Sequence, residues 1–278
     1  MAVFLSVLTA ALFGAGDFLG GLAGRRIRVI QVLAASHLVG LAGITLAALV
    51  LADDFIAVDL VWGAAAGVAG FVGLGLLYRG LARGPMGVVA PLTAITSAAV
   101  PAVWGVVIGG DVLSGGAWAG VAIALASIVL VSGEPAGRRG VPALTVIEGL
   151  LAGAGFGFMF VILEQTETAS APWPIVGARL LTGGGLLLLF AVRRERIMPT
   201  DPITRRLVVG LGVLDTSSNA LFLYAADAGS LTIAAVLSSL YPVATAVLAS
   251  VVLHERLTRF QRLGFIAALI GASLLAVG

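Results

Sequence analysis

The chain has 278 residues, 60% of them hydrophobic and 11% charged, with a mean hydropathy of +1.12 and a formal net charge of +2. Soluble domains carry about twice that share of charge, so a soluble globular domain is excluded. Cysteine and lysine are both absent, which removes disulfides, thiolate chemistry and a lysine-bearing phosphate loop.

Ten apolar runs succeed one another, each near the ~20 residues that cross a bilayer as a helix. They cover roughly 2–22, 29–51, 60–81, 87–109, 116–133, 143–163, 173–192, 207–226, 231–253 and 260–277. The first has no basic residues before it and contains Asp17, so it reads as a retained helix and not a signal peptide. The second carries His37. The third opens on Gly63, Ala64, Ala65, Ala66 and Gly67, small residues that let helix backbones approach closely where lipid supplies no hydrophobic drive. Thr93, Thr96 and Ser97 lie in the fourth run between Pro91 and Pro101. A polar stretch, 134–140, separates the fifth run from the sixth. Arg179 interrupts the seventh, and a second polar stretch spans 193–206. The eighth holds Asp215 and Asn219, and in the ninth Ser238, Ser239 and Tyr241 precede Pro242.

The connecting segments are short and their charge alternates. All 16 basic residues are arginine, and 15 fall in odd-numbered gaps: Arg25, Arg26 and Arg28; Arg79 and Arg83; Arg138 and Arg139; Arg193, Arg194, Arg196, Arg205 and Arg206; Arg256, Arg259 and Arg262. The even gaps carry Asp53, Asp54, Asp59, Asp111, Glu164, Glu167 and Asp227 without a basic residue. This bias predicts odd-numbered loops in the cytoplasm and both termini outside. Arginines so placed orient helices and meet anionic lipid headgroups, so the pI near 9.7 does not point to nucleic acid.

The two halves resemble each other. With an offset of 144 residues, Ala102 and Val103 fall on Ala246 and Val247, Asp111 on Glu255, Leu113 on Leu257 and Gly120 on Gly264. A unit with an odd number of spans places its tandem copy upside down. The loop after the fourth span has no arginine and its counterpart has three, the opposite bias that inversion requires.

The segment Val252-Leu253-His254-Glu255-Arg256-Leu257-Thr258, with Gln261 and Gly264, resembles the end-of-repeat signature of the EamA family in the drug/metabolite transporter superfamily. Pro242 and Arg179 fit that pattern, as do Phe13-Gly14-Ala15-Gly16-Asp17-Phe18-Leu19-Gly20-Gly21. The first half departs from it: Asp111 replaces Glu, Ala117 stands where Gln is expected, and His37 sits near the expected arginine. Ten-span relatives are usually drawn with cytoplasmic termini, opposite to the arginine bias here. The resemblance implies an inner-membrane, multi-pass exporter of small metabolites.

Several residues admit two readings. Thr258 and Gln261 have capping-box spacing, and Glu255 precedes the positive end of a helix, so this segment is accounted for structurally. Asp17, Arg179 and Asp215 lie within apolar spans, where each charge costs at least ~2.5 kcal/mol unless it faces protein or water. They are either interhelical anchors or the polar lining of a central cavity. At 1.5 Å per residue, Asp215 sits roughly 12 Å along its span and Arg179 about 9 Å along its own, entering from the opposite side. These depths let Arg179 meet Asn219 and reach Asp215 only by extending. Asp17 and His37 match in depth. The hydroxyls beside the prolines either satisfy freed backbone groups or, with free carbonyls of broken helices, face a substrate. Tyr78, Trp104 and Tyr224 read as packing or interfacial residues.

The expectation is an all-α membrane protein of ten transmembrane helices, built as two inverted five-helix repeats over 1–134 and 141–278. It is read as a secondary active exporter of small hydrophilic metabolites such as amino acids, working by alternating access. Multidrug efflux of organic cations ranks second, and an intramembrane enzyme or non-transporting scaffold third. The candidate substrate-binding residues are Asp17, His37, Thr93, Thr96, Arg179, Asp215, Asn219, Ser238 and Tyr241. No catalytic constellation, metal site or cofactor is expected. The partners expected are the bilayer, a small-molecule substrate, a coupled proton and a second copy of the chain, with no nucleic acid.

Overall fold

The computed structural model describes residues 1–83, 86–132, 143–252 and 258–277. The polar stretch 134–140, with Arg138 and Arg139, lies outside them. So do Glu255 and Arg256, and the side chains of Tyr78 and Pro91.

Among the described residues the chain is helical without strands. The helices are α1 (Ala2–Gly24), α2 (Val29–Leu51), α3 (Ala57–Arg83), α4 (Met86–Val107), α5 (Gly115–Ser132), α6 (Ala143–Leu163), α7 (Trp173–Val192), α8 (Pro202–Asp227), α9 (Leu231–Ser238), α10 (Tyr241–Val252) and α11 (Arg259–Val277). A 3₁₀ turn, Thr168–Ser170, precedes α7. Seven segments, with α9 and α10 taken as one, are long and apolar enough to cross a membrane, and α4 and α5 contain shorter apolar helices. These helices fall on the ten runs read from the sequence.

The two proline-bearing spans behave differently. Pro242 has no N–H to give the carbonyl of Ser238, and the ninth span breaks at Ser239 and Leu240. Around the break Leu240 N–H bonds Leu237 O at 3.1 Å and Val243 N–H bonds Leu240 O at 2.9 Å, the tighter 3₁₀ pattern. The alternative in which the fourth span is broken as well is not met: α4 runs unbroken past Pro101. Its packing explains why. Gly153 and Gly157 of α6 lie directly against Thr96, Val100 and Pro101, so a continuous neighbouring helix holds α4 straight.

Helix ends are set by local side chains. Ser230 Oγ accepts the Ile233 N–H at 3.3 Å to start α9, and Asp201 accepts the Thr204 N–H at 2.8 Å with Pro202 in the first turn of α8. The capping box read at the last helix is present: Thr258 N–H donates to Gln261 Oε1 at 2.9 Å, and Gln261 N–H to Thr258 Oγ1 at 3.2 Å. At the equivalent place in the first half, Ser114 Oγ accepts the Ala117 N–H at 3.0 Å. Alanine there can return nothing, so only half of the box forms.

The two halves interleave. α1 packs on α8 and on the α9–α10 pair; α6 packs on α3 and on α4; α2 meets α8 and α7, while α3 meets α7; and α5 pairs with α11. Exchanging each of the first five spans with its counterpart in the second half leaves these principal pairings unchanged. Glycine permits the approaches. A Cβ at Gly14 would lie 2.6 Å from Ala244 Cβ and 2.9 Å from Thr245 N of α10, and one at Gly67 would lie 2.7 Å from Ala178 Cα of α7. The small-residue run opening the third span is therefore a packing face.

On the side of the even-numbered loops, Asp59, 1% exposed, accepts Ser170 Oγ–H and the Glu167 N–H (3.1 Å). Thr168 donates to Asp227 at 2.6 Å and Asp54 N–H to Ala169 O at 2.9 Å. Residues 164–172 thereby strap the start of α3 to the end of α8. On the other side Arg79 reaches the buried Glu148 at 3.3 Å, and Arg28 pairs with Glu195. That hydrogen bond holds the Glu195 carboxyl below the usual carboxylate range.

Gly14→Ala is expected to destabilise the protein in detergent by about 1–3 kcal/mol, because its methyl would overlap α10. Gly21→Ala, whose methyl would meet nothing within 4 Å, should be neutral or slightly stabilising. Thermal unfolding of the two variants compares them directly, and equal midpoints would contradict the packing account.

Candidate functional site

Close packing of four helices on one another brings the buried charges together. Gly16 and Gly20 of α1 lie against Leu211 and Asp215 of α8, so the next residue, Asp17, comes alongside Asp215. Gly40 of α2 seats on Thr216 and Gly212 of α8 on Ser36, which docks α2 on the neighbouring face of α8. Gly183 of α7 lies against His37, and Gly177 of α7 against the backbone of Leu60 in α3. Between these helices, α3, α6 and the middle of the ninth span lies a cavity of about 120 Å³. A single water needs only ~10–15 Å³ on this measure, so the space accommodates several waters or a small metabolite.

Seven of the nine candidate residues line this cavity: Asp17, His37, Arg179, Asp215, Asn219, Ser238 and Tyr241. Thr93 and Thr96 do not. Thr93 Oγ1 donates to the Gly149 carbonyl of α6 at 3.1 Å, and Thr96 Oγ1 turns back to Leu92 O at 2.8 Å. Both are absorbed by the α4–α6 contact. Ser97, one residue on, takes their place, and its hydroxyl lies 3.3 Å from that of Ser239 across the two halves.

At the centre is an ion pair between Arg179 and Asp215, with side chains 9% and 32% exposed. The depth estimate favoured Asn219 as the arginine's partner; instead Arg179 extends to Asp215. Asn219 Nδ2 donates to the Asp215 carbonyl at 2.7 Å, and Ser218 Oγ donates to the same carbonyl at 2.8 Å. His37 Nδ1 lies 2.9 Å from Thr182 Oγ1 and its ring meets Phe71 edge-on, so it is an interhelical hydrogen-bonding group and Asp17 is not its partner.

Three polar groups are left open. Arg179 Nε and Ser238 Oγ are buried without a hydrogen-bond partner, and Asp17, which is exposed on the cavity lining, has no hydrogen bond or ion pair among the described residues. Buried polar atoms are rarely orphaned, so Arg179 Nε and Ser238 Oγ have spare capacity for a guest or for water. The Ser238 carbonyl, which Pro242 cannot bond, lies at the same level.

The rest of the wall is apolar. Phe13, Phe71, Phe156, Met159 and Phe160 form much of it, and Phe160 stacks on Phe222 with centroids 4.1 Å apart. Apart from Phe13, quoted only within the family-like run, none of these was singled out in the sequence, since an apolar side chain in an apolar span has the same pattern whether it packs in a core or lines a cavity. Trp104 and Tyr224 do pack: Trp104 lies in an apolar cluster, and Tyr224 hydroxyl donates to Ala171 O at 3.2 Å. Among the described residues no group of three acidic, histidine or cysteine side chains could hold a metal ion.

Residues 143–277 match the EamA-like transporter family. This half of the chain belongs to that family. The EamA-like match begins at the first residue of α6 and ends with α11. A solved crystal structure, described only as that of a protein, shares the fold at TM-score 0.77 and 19% identity over 99% of this chain and 96% of its own. No curated protein matches in sequence.

The ion pair generates a further expectation. Arg179→Gln or Asp215→Asn alone leaves one charge without its partner and should lower thermal stability by roughly 1–3 kcal/mol, below the range for a fully buried pair because Asp215 is partly open. Arg179→Met together with Asp215→Leu should be less damaging than either single change. Unfolding midpoints of the three variants in detergent decide this. A double variant worse than both singles would mean that the pair itself holds the helices.

Proposed function

We propose that this EamA-like protein is a secondary active transporter that exports small charged metabolites, amino acids among them, by alternating access to the cavity between its halves. The observation that carries the reading is the Arg179–Asp215 pair at mid-span, flanked by open polar atoms on Asp17, Arg179 and Ser238. Ionisable groups are kept at such depth where they serve a path or a guest. A zwitterion finds a guanidinium N–H and serine hydroxyls for its carboxylate, and Asp17 with Asp215 for its ammonium. The phenylalanine wall receives an apolar side chain.

The halves are read as inverted copies. Packing that is unchanged when the halves are exchanged supports this, as do the matching caps at Ser114 and Thr258. On this reading α2–α7, α4–α9 and α5–α11 straddle a pseudo-two-fold axis in the membrane plane. The strap at 164–172 and the Arg28–Glu195 bridge are then contacts on opposite faces that must break in turn. Arginine bias favours the inner membrane with the odd-numbered loops cytoplasmic.

One feature favours a second reading. Arg179 and Asp215 neutralise each other, which leaves Asp17 as an uncompensated carboxylate among aromatic rings, a setting suited to an organic cation. Proteoliposomes loaded with labelled amino acids or with a lipophilic cation separate the two. Asp215→Asn and Arg179→Gln should insert normally yet lower amino-acid flux at least tenfold. Wild-type flux in a folded Arg179→Met/Asp215→Leu variant would assign the pair to the scaffold instead.

Orientation is tested separately. An alkaline phosphatase fusion at the C-terminus should be active and one after Arg194 inactive. The reverse would show that the arginine count does not set the topology.

A further inference from the structure

We propose that the junction of the first and seventh loops is a binding site for the headgroup of an anionic phospholipid. The two loops are more than 160 residues apart in sequence, yet they are built into one surface. Arg28 pairs with Glu195, Arg26 Nη1 lies 3.6 Å from Asp201 Oδ2, and Gln31 Nε2 donates to Arg196 O at 3.0 Å and Ile197 O at 3.2 Å. Ile197 packs against the apolar clusters between α1, α2, α7 and α8, which fixes the seventh loop against α2.

The two carboxylates of this junction are taken by Arg26 and Arg28. Arg25, Arg193, Arg194, Arg196, Arg205 and Arg206 remain exposed, with no ion-pair partner among the described residues. Other arginines on this side differ: Arg79 is paired with Glu148, and Arg259 and Arg262 stand on α11, which packs on α5 and not on α2, α7 or α8. Arg194 adds a second observation. It occupies the left-handed position (φ 51°) that closes α7, with its N–H on Ala191 O and the next N–H on Phe190 O. Glycine is favoured at such a position, so an arginine stands there against backbone preference.

The junction lies at the ends of four spans, the level at which lipid phosphates sit. Guanidinium groups bind phosphate oxygens in pairs, and several together discriminate a net negative headgroup from a zwitterionic one. The same four helices carry Asp17, His37, Arg179 and Asp215, so a headgroup held here braces the elements that form the cavity. The assignment does not depend on what the cavity transports.

Native mass spectrometry of the full chain in neutral detergent, titrated with equal amounts of phosphatidylglycerol and phosphatidylcholine, tests it. The wild type should retain phosphatidylglycerol preferentially. Arg193→Gln with Arg194→Gly removes two charges while easing the turn and should lower that retention about tenfold or more. Arg259→Gln with Arg262→Gln, a charge-matched change on the same side, should leave the preference intact. If the loop-seven variant fails to fold, Arg205→Gln with Arg206→Gln, on the first turn of α8, replaces it with the same expected loss. Equal retention of both lipids by the wild type, an undiminished preference in a folded junction variant, or the same loss in the α11 control would each overturn the proposal.

Discussion

The structure depends on the requirement that charge in hydrocarbon be answered from within the protein. Arg179 and Asp215 each sit in the middle of an apolar span, and neither could remain there facing lipid. Their pairing dictates that α7 and α8 present these faces to a common interior, although the two helices share few other contacts. The helices that surround the pair are then those with backbones able to approach it, which explains where glycine is found. Gly16 and Gly20 admit α1, Gly40 and Gly212 admit α2, and Gly177 and Gly67 dock α3 on α7. The electrostatic demand and the steric permission together produce the cavity.

A cavity at this position is polar on one side and aromatic on the other, and the polar side is incompletely satisfied. An apolar lining alone would stay dry, and a fully bonded polar network would be scaffold. The open atoms of Arg179 and Ser238 distinguish this interior from either. The broken ninth span contributes to the same end, since Pro242 frees backbone polarity at a depth where only a protein-lined cavity can tolerate it.

The two faces of the molecule are tied by different chemistry. The even-loop side uses a buried carboxylate, Asp59, bonded to a hydroxyl and a backbone N–H, with Phe55 and Trp173 packed edge-to-face beside it. The arginine-bearing side uses the exposed pairs Arg28–Glu195 and Arg26–Asp201 beside the half-buried pair Arg79–Glu148. Exposed pairs are individually weak and screened by salt, whereas hydrogen bonds to a buried carboxylate are not. The two sets of contacts therefore respond differently to ionic strength.

The sequence by itself determined the class of the protein, the number and limits of its spans and the location of its intramembrane charges. Those features are one-dimensional, because hydrophobic length and the expense of burying a charge are properties of a segment and not of its neighbours. Helix caps were equally legible, as Thr258 and Gln261 bond within one turn. The partners of the charges were decided only in three dimensions. Residue depth suggested Asn219 for Arg179, but the reach of an arginine and the rotation of α8 gave it Asp215. Thr93 and Thr96 have the same local pattern as Ser97, and only the seating of Gly149 and Gly153 on α4 turned the threonines into a helix contact and left the serine in the cavity. The aromatic wall was invisible for the same reason: which face of an all-apolar helix looks inward is fixed by packing, and periodicity carries no trace of it when every face is apolar.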